Sequence, residues 1–220
     1  MKKILIGILS VSAWFSAGTA DAAGFITGRA GLTAGTYDFE ASGSRTDSNA
    51  YGVQVGFGAS IGRIFVDWGM DYQHVANDYL DRTDYLFTGG VFIGDRWSVF
   101  GGYRAGNYSD DFTATSADSN YYQATGPFAG GSFSQRIGDR VALNLALAYN
   151  VVEYSDEQGV ALDISANGIS GKLQANILDT PHSIYLRAQA FNGEDDSNTF
   201  EFKENFVQLG YTFTFDLLSW

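Results

Sequence analysis

Between residues 51 and 74 the chain alternates without a break, and this stretch limits the fold more than any other. Tyr51, Val53, Val55, Phe57, Ala59 and Ile61 share one parity, and Gly52, Gln54, Gly56, Gly58 and Ser60 share the other. After Gly62 and Arg63, Ile64, Val66, Trp68, Met70 and Tyr72 alternate with Phe65, Asp67, Gly69, Asp71 and Gln73. Side chains along a strand point to opposite faces in turn, so a period of two over this length predicts a β-hairpin with one apolar and one polar face. The polar face holds glycines, glutamines and aspartates and no lysine. Such a face suits a crowded barrel lumen, and its apolar partner suits lipid.

The same period recurs along the chain. It predicts strands over residues 25–39, 51–61, 64–74, 85–93, 97–107, 121–137, 141–151, 169–177, 184–192 and 205–215. Ten strands is the reading, with eight as the alternative because the sixth and eighth are the least regular. Polar stretches at 40–50, 75–84, 109–120, 155–162 and 193–204 read as long loops. Between them lie tight turns, three of which echo each other: Ile61-Gly62-Arg63, Ile93-Gly94-Asp95-Arg96 and Ile137-Gly138-Asp139-Arg140. In the sixth strand Phe128 and Phe133 have opposite parity, so a bulge near Gly130-Gly131 is expected to bring them to one face. Tight turns on one side and long loops on the other give an all-β, antiparallel, up-and-down transmembrane barrel. The even strand count puts both termini on the tight-turn side, expected to be periplasmic.

Residues 1–22 read as a cleaved signal peptide. Met1-Lys2-Lys3 is a positive start, residues 4–17 are apolar, and Ala20-Asp21-Ala22 fits the small-x-small cleavage pattern. The apolar run falls short of the ~20 residues that a spanning helix needs. Residues 23–220 then form one barrel domain. A formal charge of −12 argues against nucleic acid as a partner, because phosphate binding needs basic surface. With no cysteine, no disulfide framework holds this exported chain.

The strand-turn pattern from Ile61 to Trp68, the Gly-Asp-Arg turns and the terminal aromatic Trp220 carry a family likeness. In these features the chain resembles small bacterial outer-membrane β-barrel proteins of the opacity-protein and porin-like type. The resemblance implies a bacterial outer-membrane location, contact with outer-membrane lipid and lipopolysaccharide, and recognition of Trp220 by the barrel-assembly machinery. It also implies surface loops able to meet an extracellular partner. One departure stands at the end of the chain. Phe213 and Phe215 are odd-numbered, but Leu218 and Trp220 are even-numbered. Either Asp216-Leu217 interrupts the last strand, or the final residues form a short tail.

A soluble barrel would also alternate, with its apolar face inward. Here Arg29, Asp67, Asp71, Arg104, Lys172 and Arg187 all take the polar parity, while Trp68 and Trp97 take the other, as in an interfacial aromatic girdle. With Gln54 these six form the expected lumen polar network, in which Asp67 and Asp71 pair with bases. Phe65, Phe92, Phe100 and Tyr185 share the inward parity close to turns and are expected to form an aromatic collar at the periplasmic mouth.

Catalytic chemistry is not expected. His74 and His182 fall at opposite ends of the barrel, and Asp78, Asp81 and Asp84 read as a solvated acidic rim. Asp110 with Asp111 and the run Glu194-Asp195-Asp196 read the same way. No zinc-like spacing or phosphate loop is present, so no metal or cofactor is expected. The expected role is structural or adhesin-like surface interaction with a largely plugged lumen. The alternative is a narrow porin-like channel for small solutes.

Overall fold

The computed structural model describes residues 24–41, 44–76, 80–110, 120–156, 161–195 and 201–219. The signal segment 1–22, Asp78, Asp111, Asp196 and Trp220 lie outside them. Ten strands follow in order: β1 (Gly24–Ala41), β2 (Ser44–Ile61), β3 (Ile64–Val75), β4 (Leu80–Ile93), β5 (Trp97–Asp110), β6 (Asn120–Ile137), β7 (Val141–Asp156), β8 (Ala161–Ile177), β9 (His182–Asp195) and β10 (Glu201–Ser219). Each pairs antiparallel with its sequence neighbours, and β10 pairs with β1, which closes the barrel. Closure leaves no sheet edge unpaired, as a sheet in hydrocarbon requires.

The tight turns have a backbone reason for their repeated sequence. Gly62, Gly94 and Gly138 sit at φ of 56°, 67° and 65°, and in the fourth turn Asp179 takes the same left-handed conformation at φ 61°. A glycine enters this region without the steric cost of a Cβ, and Asp is among the few residues that tolerate it.

The strands are longer than the sequence pattern predicts, at the end opposite the tight turns. Much of the expected loops at 40–50, 75–84, 155–162 and 193–204 is strand. Their polarity has another cause: a change in what the outer face meets. Next to the turns and in mid-strand the outward residues are apolar and exposed, among them Leu32, Val53, Phe57, Val66, Phe87, Leu145 and Leu209. Towards the far ends they become Thr36 and Glu40 on β1, Asp47 and Asn49 on β2, Glu153 on β7, Asn192 on β9 and Lys203 and Asn205 on β10. Inside, no such switch occurs: rings and polar groups both line the lumen, and near the far ends Arg82, Asp84 and Glu204 are buried with Tyr37, Tyr108, Val152, Phe191, Phe202 and Phe206. The barrel is thus apolar outside over one part of its height and polar outside over the rest. About 9–11 residues of tilted strand cross a bilayer, so the 18 residues of β1 and of β2 extend well beyond it. On this polar wall Arg45 lies between Asp38 and Asp47, at 3.0 Å and 3.4 Å. Asp38 first, and then Asp47, holds its guanidinium above the usual arginine range.

Two irregularities were placed differently by the sequence. No bulge occurs at Gly130-Gly131; the β5–β6 ladder runs unbroken from Trp97↔Phe133 to Asp110↔Asn120. Phe128 points inward, while Phe133 packs outside on Trp97 with ring centroids 4.7 Å apart. The glycine is there because Gly130 stands opposite Phe100, where a side chain would strike the ring. The bulge that does exist is on β10. The register against β1 shifts between Ile26 and Thr27, whose partners are Leu218 and Asp216, so Leu217 is the extra residue. A bulge resets parity without ending a strand, which explains why Phe215 and Leu218 are both exposed on a strand that runs on to Ser219.

Candidate functional site in the barrel lumen

Strand parity alone delivers the lumenal side chains to one space. Arg29 on β1 donates to Asp67 on β3 (Nη2 to Oδ2, 2.8 Å). Arg187 on β9 donates to Asp71 on β3 at 3.1 Å, and Gln208 on β10 donates to the same Asp71 oxygen at 3.1 Å. Gln54 joins two strands, accepting from the Tyr185 hydroxyl at 3.0 Å and donating to Thr212 Oγ1 at 2.6 Å. Lys172 lies over the Tyr185 ring, its Nζ 4.2 Å from the centroid. Asp67 and Asp71 therefore pair with Arg29 and Arg187, and not with Arg104 or Lys172.

Arg104 belongs to a second cluster nearer the far end, built on residues that the sequence pattern left in a loop. Arg82 donates to Asp84 (2.9 Å), Glu204 (2.6 Å) and Gln189 (3.0 Å), and Arg104 donates to Asp84 (2.8 Å) and to the Tyr108 hydroxyl (3.0 Å). The Arg82 guanidinium also faces the rings of Tyr108 and Phe206, at 5.3 and 5.4 Å, and Arg104 faces Phe191 at 5.1 Å. The carboxylates and the guanidiniums of this cluster are all buried. Burial of ions is costly without such pairing. The signal that would have located Arg82, Asp84 and Glu204 is parity: all three continue the inward register of β4 and β10 beyond the apolar band.

Aromatic groups line the lumen above and below these charges. Near the tight turns Phe65, Phe92, Phe100 and Phe128 form one buried cluster with Ala146 and Ala148. Tyr185 is not part of it; its partners are Gln54 and Lys172. The reason is circumferential position, since β9 stands across the lumen from β3–β6. At the far end two further clusters form, one around Tyr108, Phe191 and Phe202 and one around Tyr37 and Phe206, with Phe39 packed against both. Many of these rings lie directly opposite a glycine: Phe65 on Gly90, Phe128 on Gly102, Phe100 on Gly130, Phe191 on Gly168, Phe202 on Gly193 and Tyr185 on Gly210. A Cβ at any of these glycines would collide with the ring. The rings can therefore lie flat on the wall.

The histidines are not brought into the lumen. His74 pairs with Asp81 at 2.9 Å on the exposed outer face, away from buried Asp84. His182 meets the Tyr211 hydroxyl beside the tight turns. Among the described residues no group of three or more His, Cys, Asp or Glu side chains is arranged to hold a metal.

No family model matches this chain, and no curated protein matches it. Solved structures similar to it are outer-membrane barrels of diverse kinds. An outer membrane channel from Pseudomonas putida F1 aligns at 16% identity over 91% of this chain and 100% of that one, with a TM-score of 0.42. Outer membrane protease OmpT from Escherichia coli aligns at 13% identity over 90% and 98%, with a TM-score of 0.38. The attachment invasion locus protein Ail of Yersinia pestis, solved with the heparin analogue sucrose octasulfate, aligns at 15% identity over 87% and 99%, with a TM-score of 0.35. The likeness extends no further than the barrel architecture that the strand pairing establishes by itself.

Proposed function

We propose that this protein is a bacterial outer-membrane barrel with a structural or surface-interaction role and a plugged lumen. The observation that supports this reading over a narrow porin-like channel is the double closure. Phenylalanines fill the lumen near the tight turns, and the Arg82–Asp84–Arg104–Glu204 cluster with its aromatic neighbours fills it near the far end. A conducting path needs side chains that solvate ions in passage, whereas most of these charges are committed to each other. The surface role is supported by the polar wall. Strands carry Asp47, Glu153, Asn192 and Lys203 beyond the apolar band, giving a partner a stiff surface as well as loops.

Planar-bilayer recording tests the reading. Wild-type protein is expected to give little or no steady conductance, and Phe65→Ala/Phe100→Ala to leak more. Large, stable, ion-selective openings from the wild type would overturn the plug and favour the channel.

A further inference from the structure

Beside the phenylalanine cluster lies a cavity of about 130 Å³ whose lining differs in chemistry. Phe100, Phe128 and Ala146 give it apolar lining. Arg29, Arg187, Lys172, Asp67 and Asp71 give it charged lining, with Lys172 directly opposite Ala146 on the β7–β8 ladder. Arg29 is matched by Asp67, and Arg187 by Asp71. Lys172 is left over. Among the described residues it forms no ion pair; its ammonium lies over the face of the Tyr185 ring, at 4.2 Å, and the two nearby carboxylates are already paired with arginines. That ring is itself fixed by the hydroxyl's bond to Gln54. A cation away from bulk water is costly without a counter-charge, and a cation–π contact offsets part of that cost.

We propose that this chamber binds a small monoanion with a short apolar part, a short-chain carboxylate, and that Lys172 is its counter-charge. The carboxylate meets the charged wall, where it completes the balance of three bases and two acids. The hydrocarbon end meets Phe100, Phe128 and Ala146. Size limits the class: a cavity of roughly 150 Å³ accepts a benzene molecule, so a four-carbon acid fits and a long fatty acid does not. The chamber rests on the plugged lumen proposed above, which the bilayer recording tests separately from ligand binding.

Equilibrium dialysis of radiolabelled butyrate tests it. The protein is refolded into micelles with butyrate present, and empty micelles serve as the blank. Wild type is expected to bind butyrate saturably, at least tenfold more tightly than formate or butyramide. Lys172→Met is expected to weaken binding at least tenfold. Without ligand it should also unfold at a higher urea concentration than wild type, because it removes an uncompensated charge. Ala148→Leu, which fills the apolar lining opposite Ser170 and not opposite Lys172, is expected to abolish binding while the fold is retained. Absence of saturable binding to the wild type would overturn the proposal. So would equal binding of butyramide or formate, unchanged binding by Lys172→Met, or unchanged binding by folded Ala148→Leu.

Discussion

Arg82 gathers both hydrogen bonds and ring contacts in the lumen. It reaches Asp84, Glu204 and Gln189, and it faces two rings. Removing one member of a buried ion cluster strands the others, at a cost of about 3–5 kcal/mol. Arg82→Met is therefore expected to lose about that much in urea unfolding from lipid vesicles, with Glu204→Gln losing less. The double variant should cost less than the sum, since the two share one interaction. Sequence reasoning gave Arg29, Asp67, Asp71 and Arg187 the inward parity, without assigning the pairs, because their strands alternate strongly. It missed Arg82, Asp84 and Glu204 because they lie in polar surroundings. There the outward neighbours are also polar, so hydrophobic alternation fades although hydrogen bonding between strands continues.

At the scale of the strand, the long elements have two segments joined end to end, one with an apolar outer face and one with a polar outer face. Hydropathy reads the first segment and takes the second for loop. A substitution's effect should therefore depend on its place along the strand. Leu145→Arg, in the apolar band, is expected to cost about 2–4 kcal/mol, the range for a charge near the bilayer midplane. Asn205→Arg, outward on the polar wall, should stay within about 0.5 kcal/mol, as surface changes do. Equal costs in vesicle refolding would contradict the two-segment description. Glycines divide in the same manner. Gly210→Ala drives a Cβ into the Tyr185 ring and is expected to cost about 1–3 kcal/mol, as overpacking does. Gly89 has no close neighbour, so Gly89→Ala should be neutral or slightly stabilising.

For the whole barrel, the strand count, the closed topology and the split between tight turns and the opposite end were legible in the sequence, because period-two patterning and Gly-Asp-Arg turns are local signals. Depth was not legible, since it depends on how far paired strands rise beyond lipid. A cysteine at Asp47, on the polar wall, is expected to react with an impermeant maleimide on intact cells, while one at Asp139, in a tight turn, is not. Reaction at Asp139 alone would invert the orientation. The ring-on-glycine pairs have a consequence for assembly. Alternation distinguishes odd from even register but accepts a slip of two residues, which keeps every face correct. A slip of two between β9 and β10 would set Tyr185 against Gln208 or Thr212 in place of Gly210. Between β3 and β4 it would set Phe65 against Thr88 or Phe92. Each bare glycine thus acts as a notch cut for one ring, and a chain that zips up two residues out of step finds side chains where the notches belong.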